Sequence, residues 1–192
     1  MVEIKGSAVI GTIERLKEEF GAEAHFRVVQ NLPDGDRKLF QGALLSSSWY
    51  PLDAFVSYIA TENNLLYHGD LSVILSNSEK IVDRQLQGVY KLFTKENTPE
   101  FVVNRIGVIH SSYFRGIGFQ VVTSASGEYV GRYSGFEKNH QIFEYSICAF
   151  YRKALEMSGA RDVEANFTVP FGSPVGYSEI RVTWNPPATA VH

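Results

Sequence analysis

The strongest constraint on how this 192-residue chain folds is a change in its hydrophobic period. Up to Gly118 apolar residues recur at helical spacing; beyond it they alternate, return to helical spacing near residue 140, and alternate again after Gly159. A stripe with period 3.6 cannot bury its apolar side as a strand, and an alternating stretch cannot do so as a helix. The order therefore dictates helices first, then hairpin, helix, hairpin. The sharpest switch lies in "YRKALEMSGARDVEANF", residues 151–167, where Gly159 can adopt the left-handed conformation that closes a helix.

In the helical region, Val9, Ile13, Leu16 and Phe20 form one face of a helix over 7–20, ended by Gly21, and a short helix follows over 22–31. "LPDGDR" is predicted as a turn around Pro33 and Gly35. Pro51 suits a first helical turn, and Leu52, Phe55, Val56 and Ile59 continue it as an apolar stripe. Residues 70–95 read as one long helix, with Leu71, Ile74, Leu75, Ile81, Val82, Leu86, Val89, Leu92 and Phe93 on a drifting face. Thr98-Pro99 opens another, with Val102, Ile106, Ile109 and Tyr113 as its stripe.

In the alternating region, a hairpin turns at Ser126-Gly127 with Phe119, Val121 and Thr123 on one face. A helix carries Phe143, Ile147, Phe150, Tyr151 and Ala154; then Val163, Ala165, Phe167 and Val169 alternate, as do Ile180, Val182 and Trp184. The expected fold class is α+β, with N-terminal helices packed on one face of a four-stranded antiparallel sheet made of two hairpins separated by a helix. The chain is read as a single domain over 1–192. Within it, residues 1–115 are mainly helical, residues 116–185 run hairpin-helix-hairpin, and residues 186–192 are a flexible tail.

Composition excludes several classes. A net charge of −3 with scattered Lys and Arg argues against nucleic acid as a partner. No apolar run approaches the ~18 residues of a transmembrane segment. Glu3, Glu14, Glu18 and Glu19 interrupt any secretion signal at the start. Cys148 is the only cysteine, so no intrachain disulfide can form, which fits a cytoplasmic location.

Three segments carry a resemblance. "KGSAVIGTIERLKEEFG", "LLSSSWYPLDAFVSYI" and "ALEMSGARDVEANF…FGSP…EIRVTW" are similar, in this order and across nearly the whole chain, to an uncharacterised paralogous family abundant in myxobacteria, for which no activity is known. More remotely, the C-terminal pattern resembles the superfamily of vinyl-reductase-like sensor domains, haem nitric-oxide-binding domains and TRAPP vesicle-tethering subunits. That resemblance implies helices on an antiparallel sheet and, in several members, a small molecule in an apolar cavity. Relatives often carry two cysteines around the last hairpin; their counterparts here are about Thr168 and Ser178, which closes off thiol chemistry there. The haem-binding branch clamps the porphyrin carboxylates with Tyr-x-Ser-x-Arg. The nearest string here, "RYSGFE", lacks the spacing and the arginine, so neither haem nor a stoichiometric metal is expected, and no cofactor is assigned.

Individual residues offer little chemistry. The five histidines share no metal-ligand spacing; His110, on an apolar helix, is the one candidate for a ligand contact, against the plainer role of a partly buried, hydrogen-bonded ring. Cys148 is either a small buried thiol or a nucleophile or acyl acceptor, as in some TRAPP relatives. No Gly-x-Ser-x-Gly elbow, phosphate loop or productive carboxylate pair is present. The remaining signal is aromatic: Trp49, Phe93, Tyr113, Phe114, Phe119, Phe143, Phe150 and Tyr151, with His110, are the candidate lining of a ligand site, or else filling between helices and sheet. These features point to a non-enzymatic sensory or small-molecule-binding domain with an apolar pocket between helices and sheet. The alternative is a protein-interaction scaffold or adaptor on the same fold. A homodimer through the α-helical stripe of Val9, Ile13, Leu16 and Phe20 is expected, as TRAPP-like relatives associate through helical faces.

Overall fold

The computed structural model describes residues 1–87 and 98–186. The helices are α1 (Gly6–Phe20), α2 (Ala22–Gln30), α3 (Asp34–Gln41), α4 (Leu52–Tyr67), α5 (Ser72–Gln87), α6 (Pro99–Tyr113) and α7 (Glu144–Met157), the last preceded by a 3-10 turn at Lys138–Phe143. The strands are β1 (Glu3–Lys5), β2 (Trp49–Pro51), β3 (Phe114–Arg115), β4 (Gly118–Ala125), β5 (Glu128–Ser134), β6 (Arg161–Val169) and β7 (Ser178–Asn185). Strands β4 to β7 form an antiparallel sheet in the order β4-β5-β7-β6, so each hairpin contributes one edge and the two meet at β5 and β7. Helix α7, which links the hairpins, packs on β6, while α6 packs on β4. This is the α+β arrangement the change of period predicts.

The structure corrects four local expectations. A second sheet, β2-β1-β3, leaves no trace in the pattern: three-residue strands are too short to show a period, and Trp49–Pro51 reads as a helix start. "LPDGDR" is no turn; Pro33 stands at the N-cap of α3, and Asp34 and Asp36 fill its first turn, where carboxylates favour the positive end of the helix dipole. Thr123 does not continue the face of Phe119 and Val121, because a bulge between Val121 and Thr123 interrupts the alternation, and Val121 is itself exposed. The α1 stripe is consumed inside the chain: Val9, Ile13 and Leu16 are buried, and only Phe20 is exposed, edge-on to Tyr67. Val89, Leu92 and Phe93, as well as nearly all of the tail, lie outside the described residues.

Two glycines place side chains that matter below. Gly107 of α6 and Gly131 of β5 flank Phe119; a Cβ at Gly107 would stand 2.9 Å from its ring, so the glycines let that ring sit between helix and sheet. Gly159 has φ 93° and follows α7, with its N–H donated to Glu156 O and that of Ala160 to Leu155 O. Gly159→Ala is therefore expected to destabilise the fold by about 1 kcal/mol, the cost of a Cβ at positive φ. A urea denaturation midpoint unchanged from the parent would refute this.

Candidate functional site

The small sheet ties the N-terminus to the start of α4 and the end of α6, with Ile4 paired to Tyr50 on one side and Phe114 on the other. That placement brings Ile4 to the wall of a cavity of ≈ 90 Å³. Helix α1 supplies Ala8 and Thr12; α4 supplies Phe55; α5 supplies Ser78, Ile81, Val82 and Gln85. The opposite wall is His110 and Tyr113 of α6, Phe114 of β3, Phe143, and Ser146, Ile147 and Phe150 of α7. The lining is apolar apart from a few hydroxyl, amide and imidazole groups, and holds no Lys, Arg, Asp or Glu among the described residues. None of it comes from the four-stranded sheet. The cavity is thus bordered by helices and the small sheet and is partly open, whereas the aromatic pattern points to a space between helices and the large sheet.

Five candidates from the sequence therefore meet at one cavity: His110, Tyr113, Phe114, Phe143 and Phe150. Phe119 and Tyr151 do not line it; they back His110 from behind, with ring centroids 5.6 and 5.7 Å from the imidazole. Trp49 stands apart on β2, where its ring meets the Lys5 ammonium at 4.5 Å and the Arg115 guanidinium at 4.2 Å. Phe93 falls outside the described residues.

His110 is fixed by polar as well as aromatic neighbours. Its Nδ1 lies 2.9 Å from Tyr133 Oη, which lies 3.0 Å from Tyr151 Oη, so imidazole and phenols form a buried chain. Burial pushes both phenols well above their usual range and pulls His110 down to about 3. The imidazole is neutral in the fold at neutral pH. Because the unfolded chain takes up a proton near pH 6.5 and the folded chain only near 3, stability is complete above 6.5 and falls as the pH drops through that window. His110 alone is expected to remove about 2 kcal/mol by pH 5. Urea titrations of the parent and His110→Gln at pH 7 and pH 5 check this, since an equal loss in both proteins would clear His110 of the effect.

Beside the apolar cavity lies a polar annex of ≈ 30 Å³ that shares Thr12, Ser78, Ile81 and Ser146 with it. The shared wall includes a hydroxyl pair, Ser78 Oγ to Ser146 Oγ at 2.9 Å, joining α5 to α7. The annex ends on Arg15, which is 1% exposed. Its Nη1 donates to Glu19 at 3.0 Å and Tyr67 Oη at 3.2 Å, and its Nη2 to Glu62. Burial pulls the Arg15 pKa down, but Glu62 and Glu19 outweigh it and hold the guanidinium charged. Sequence reading misses this group, although Ala8, Thr12 and Arg15 recur at helical spacing beside the α1 core stripe, a signal that a charge is turned inward.

Cys148 is 9% exposed, and burial pushes its thiol up to about 12, so it is a poor nucleophile at neutral pH. Among the described residues no group of three His, Cys, Asp or Glu side chains comes together to hold a metal, and no helix is long and apolar enough to cross a membrane.

No protein-family model matches this sequence, and no curated protein does. The fold is shared with solved structures of H-NOX domains. An H-NOX protein from S. oneidensis, as a triple mutant in the Fe(II) state, superposes with TM-score 0.68 over 98% of this chain and all of its own, at 10% identity. The unliganded Fe(II) H-NOX protein from K. algicida gives 0.66 over 95% of this chain and 97% of that one, at 11% identity. An oxygen-binding H-NOX domain related to soluble guanylate cyclases, in its oxygen complex, gives 0.65 over 98% and 100%, at 9% identity. At identities this low the superpositions show a common architecture and no more.

Proposed function

We propose that this chain is a non-enzymatic sensory domain that holds a small apolar molecule in the cavity among α1, α5, α6 and α7. The observation that carries this reading is the cavity itself: an apolar space of ≈ 90 Å³, walled by residues from Ile4 to Phe150, in a core otherwise filled with aromatic rings. Ligand sites are concave and mostly apolar with a few polar groups, and this partly open space has that lining. The shared architecture supports the reading, since one of the similar structures is described as oxygen-binding.

An iron porphyrin does not fit the residues present. An engineered cavity of about 150 Å³ holds one benzene ring, and this one is smaller, whereas a porphyrin spans four pyrroles. Its carboxylates would find no Lys or Arg on the described walls. The stretch Tyr133-Ser134-Gly135-Phe136-Glu137 places a glutamate where a cationic clamp would be needed. Five aromatic rings crowd the His110 imidazole, with centroids 5.4 to 6.0 Å away. The ligand is instead a compact molecule of a few heavy atoms.

An enzyme would need an activated nucleophile or base, and the high thiol pKa of Cys148 and the carboxylate-free surroundings of His110 supply neither. The scaffold reading has one observation of its own: β4 is an edge strand with Val121 and Val122 exposed, a surface able to meet another chain. A homodimer could not use the buried α1 stripe; Phe20 of α1 and Phe26 of α2 are the exposed rings left at that end.

Xenon tests the cavity reading. Under xenon pressure the parent is expected to gain thermal stability and to shift the methyl signals of Ile81 and Ile147, and Ala8→Phe, which adds a ring to the space, to lose both responses. A parent that responds no more than Ala8→Phe would favour the scaffold.

A further inference from the structure

The polar annex contains two buried polar atoms that the fold leaves unpaired. Arg15 Nε and Asn63 Oδ1 have no hydrogen-bond partner, although their residues are only 1% and 3% exposed. Both residues line the annex. One atom is a donor and the other an acceptor, and a buried polar group left unsatisfied is costly enough that a partner is expected. Thr12, Ser78 and Ser146 connect this space to the apolar cavity. An elongated molecule could therefore fill the cavity with its apolar body and reach Arg15 and Asn63 with a polar end.

The charges decide what that end is. Arg15 already faces two carboxylates, Glu62 and Glu19, and Glu19 is also held by Lys80 at 2.6 Å. A second cation would meet the guanidinium, and an anionic end would be desolvated beside Glu62. A hydroxyl has neither drawback, since it accepts from Arg15 Nε–H and donates to Asn63 Oδ1 with no net charge. The volumes, ≈ 90 Å³ for the body and ≈ 30 Å³ for the head, admit a chain of about three carbons bearing one oxygen, at the roughly 25 Å³ per carbon that a benzene-holding cavity provides.

Resting on the cavity reading above, we propose that Arg15 and Asn63 form a head-group subsite that makes this protein a receptor for small neutral aliphatic alcohols. The competing occupant of the annex is a water molecule, which the volume also admits.

Propane, propan-1-ol and propanoate share one apolar body and separate the alternatives. Parent protein titrated with each and followed by NMR is expected to bind propane and propan-1-ol, with propanoate at least about a hundredfold weaker than the alcohol. Only propan-1-ol moves the Arg15 Nε–H resonance, a readout that needs no variant. Asn63→Leu is expected to weaken propan-1-ol about tenfold and to leave propane within twofold, so retained propane binding also shows that the variant is folded. If neither propane nor propan-1-ol binds the parent, the cavity reading itself falls. If propane binds but the alcohol leaves Nε–H unmoved or is indifferent to Asn63→Leu, the annex holds water, and the subsite alone is overturned. Propanoate binding as tightly as the alcohol would overturn the choice of a neutral head.

Discussion

Replacing Arg15 with leucine is expected to cost about 3–5 kcal/mol at neutral pH, the range for breaking a buried ion pair by removing one partner. Arg15 is 1% and Glu62 4% exposed, so the carboxylate left behind has no water to replace the guanidinium. Glu19 suffers less, because Lys80 on the solvent side still holds it. Burial already pushes the Glu62 pKa upward against the pull of Arg15, and without Arg15 the carboxyl would be protonated in the fold. A folded-state pKa above the unfolded value means the folded chain holds the extra proton, so stability is present at low pH and lost as the pH rises through that window. The Arg15→Leu penalty should therefore be smaller at pH 5 than at pH 8. The double variant Arg15→Leu, Glu62→Leu should recover most of the loss, because an apolar pair of similar volume leaves no orphaned charge. Urea midpoints for the parent and both variants at both pH values test this. A single-variant penalty below about 1 kcal/mol, or a double variant no better than the single, would show that the pair is not the stabilising unit.

The same pair shows why the fold is more legible in the sequence than the site. Hydrophobic period is a local property, so α1, α6, both hairpins and the switch at Gly159 can be read from a short run of neighbouring residues each. Helix α3 reads as a turn because Pro33, Asp34 and Gly35 are common to turns and helix starts, and only the chain that follows separates the two. Strands β1, β2 and β3 owe their existence to one another, not to any pattern of their own. A cavity is further still from the sequence. His110, Tyr113, Phe114, Phe143 and Phe150 stand out as aromatic or imidazole groups on core-facing stripes, but a stripe that fills space and one that borders a void look alike. Ser78 and Ser146 pair across 68 positions, and neither helix alone gives a reason to single them out. Arg15 is within reach of sequence reasoning, since a charge on an inward face calls for a partner.

The sheet carries the other large expected effect: Trp184→Ala should cost about 3–5 kcal/mol, as for other buried large-to-small aromatic truncations. Trp184 follows Ile180 and Val182 on the inward face of β7, and all three are at most 4% exposed. Strand β7 is flanked on both sides, by β5 and β6, so a gap left there cannot be closed by shifting an edge. The backbone is pinned as well: Trp184 N–H donates to Gly127 O at 3.1 Å, tying the end of β7 to the β4–β5 turn. Backbone and ring are thus held by different contacts, and truncation removes only the ring. The indole Nε1 has no hydrogen-bond partner, so the side chain contributes through packing rather than polarity. Trp184→Phe, which keeps a large ring and discards an unsatisfied N–H, should accordingly cost less than half as much as Trp184→Ala. Urea denaturation of the three proteins decides the matter: equal losses for Phe and Ala would mean that the indole nitrogen, through a partner such as a bound water, carries the stability assigned here to packing.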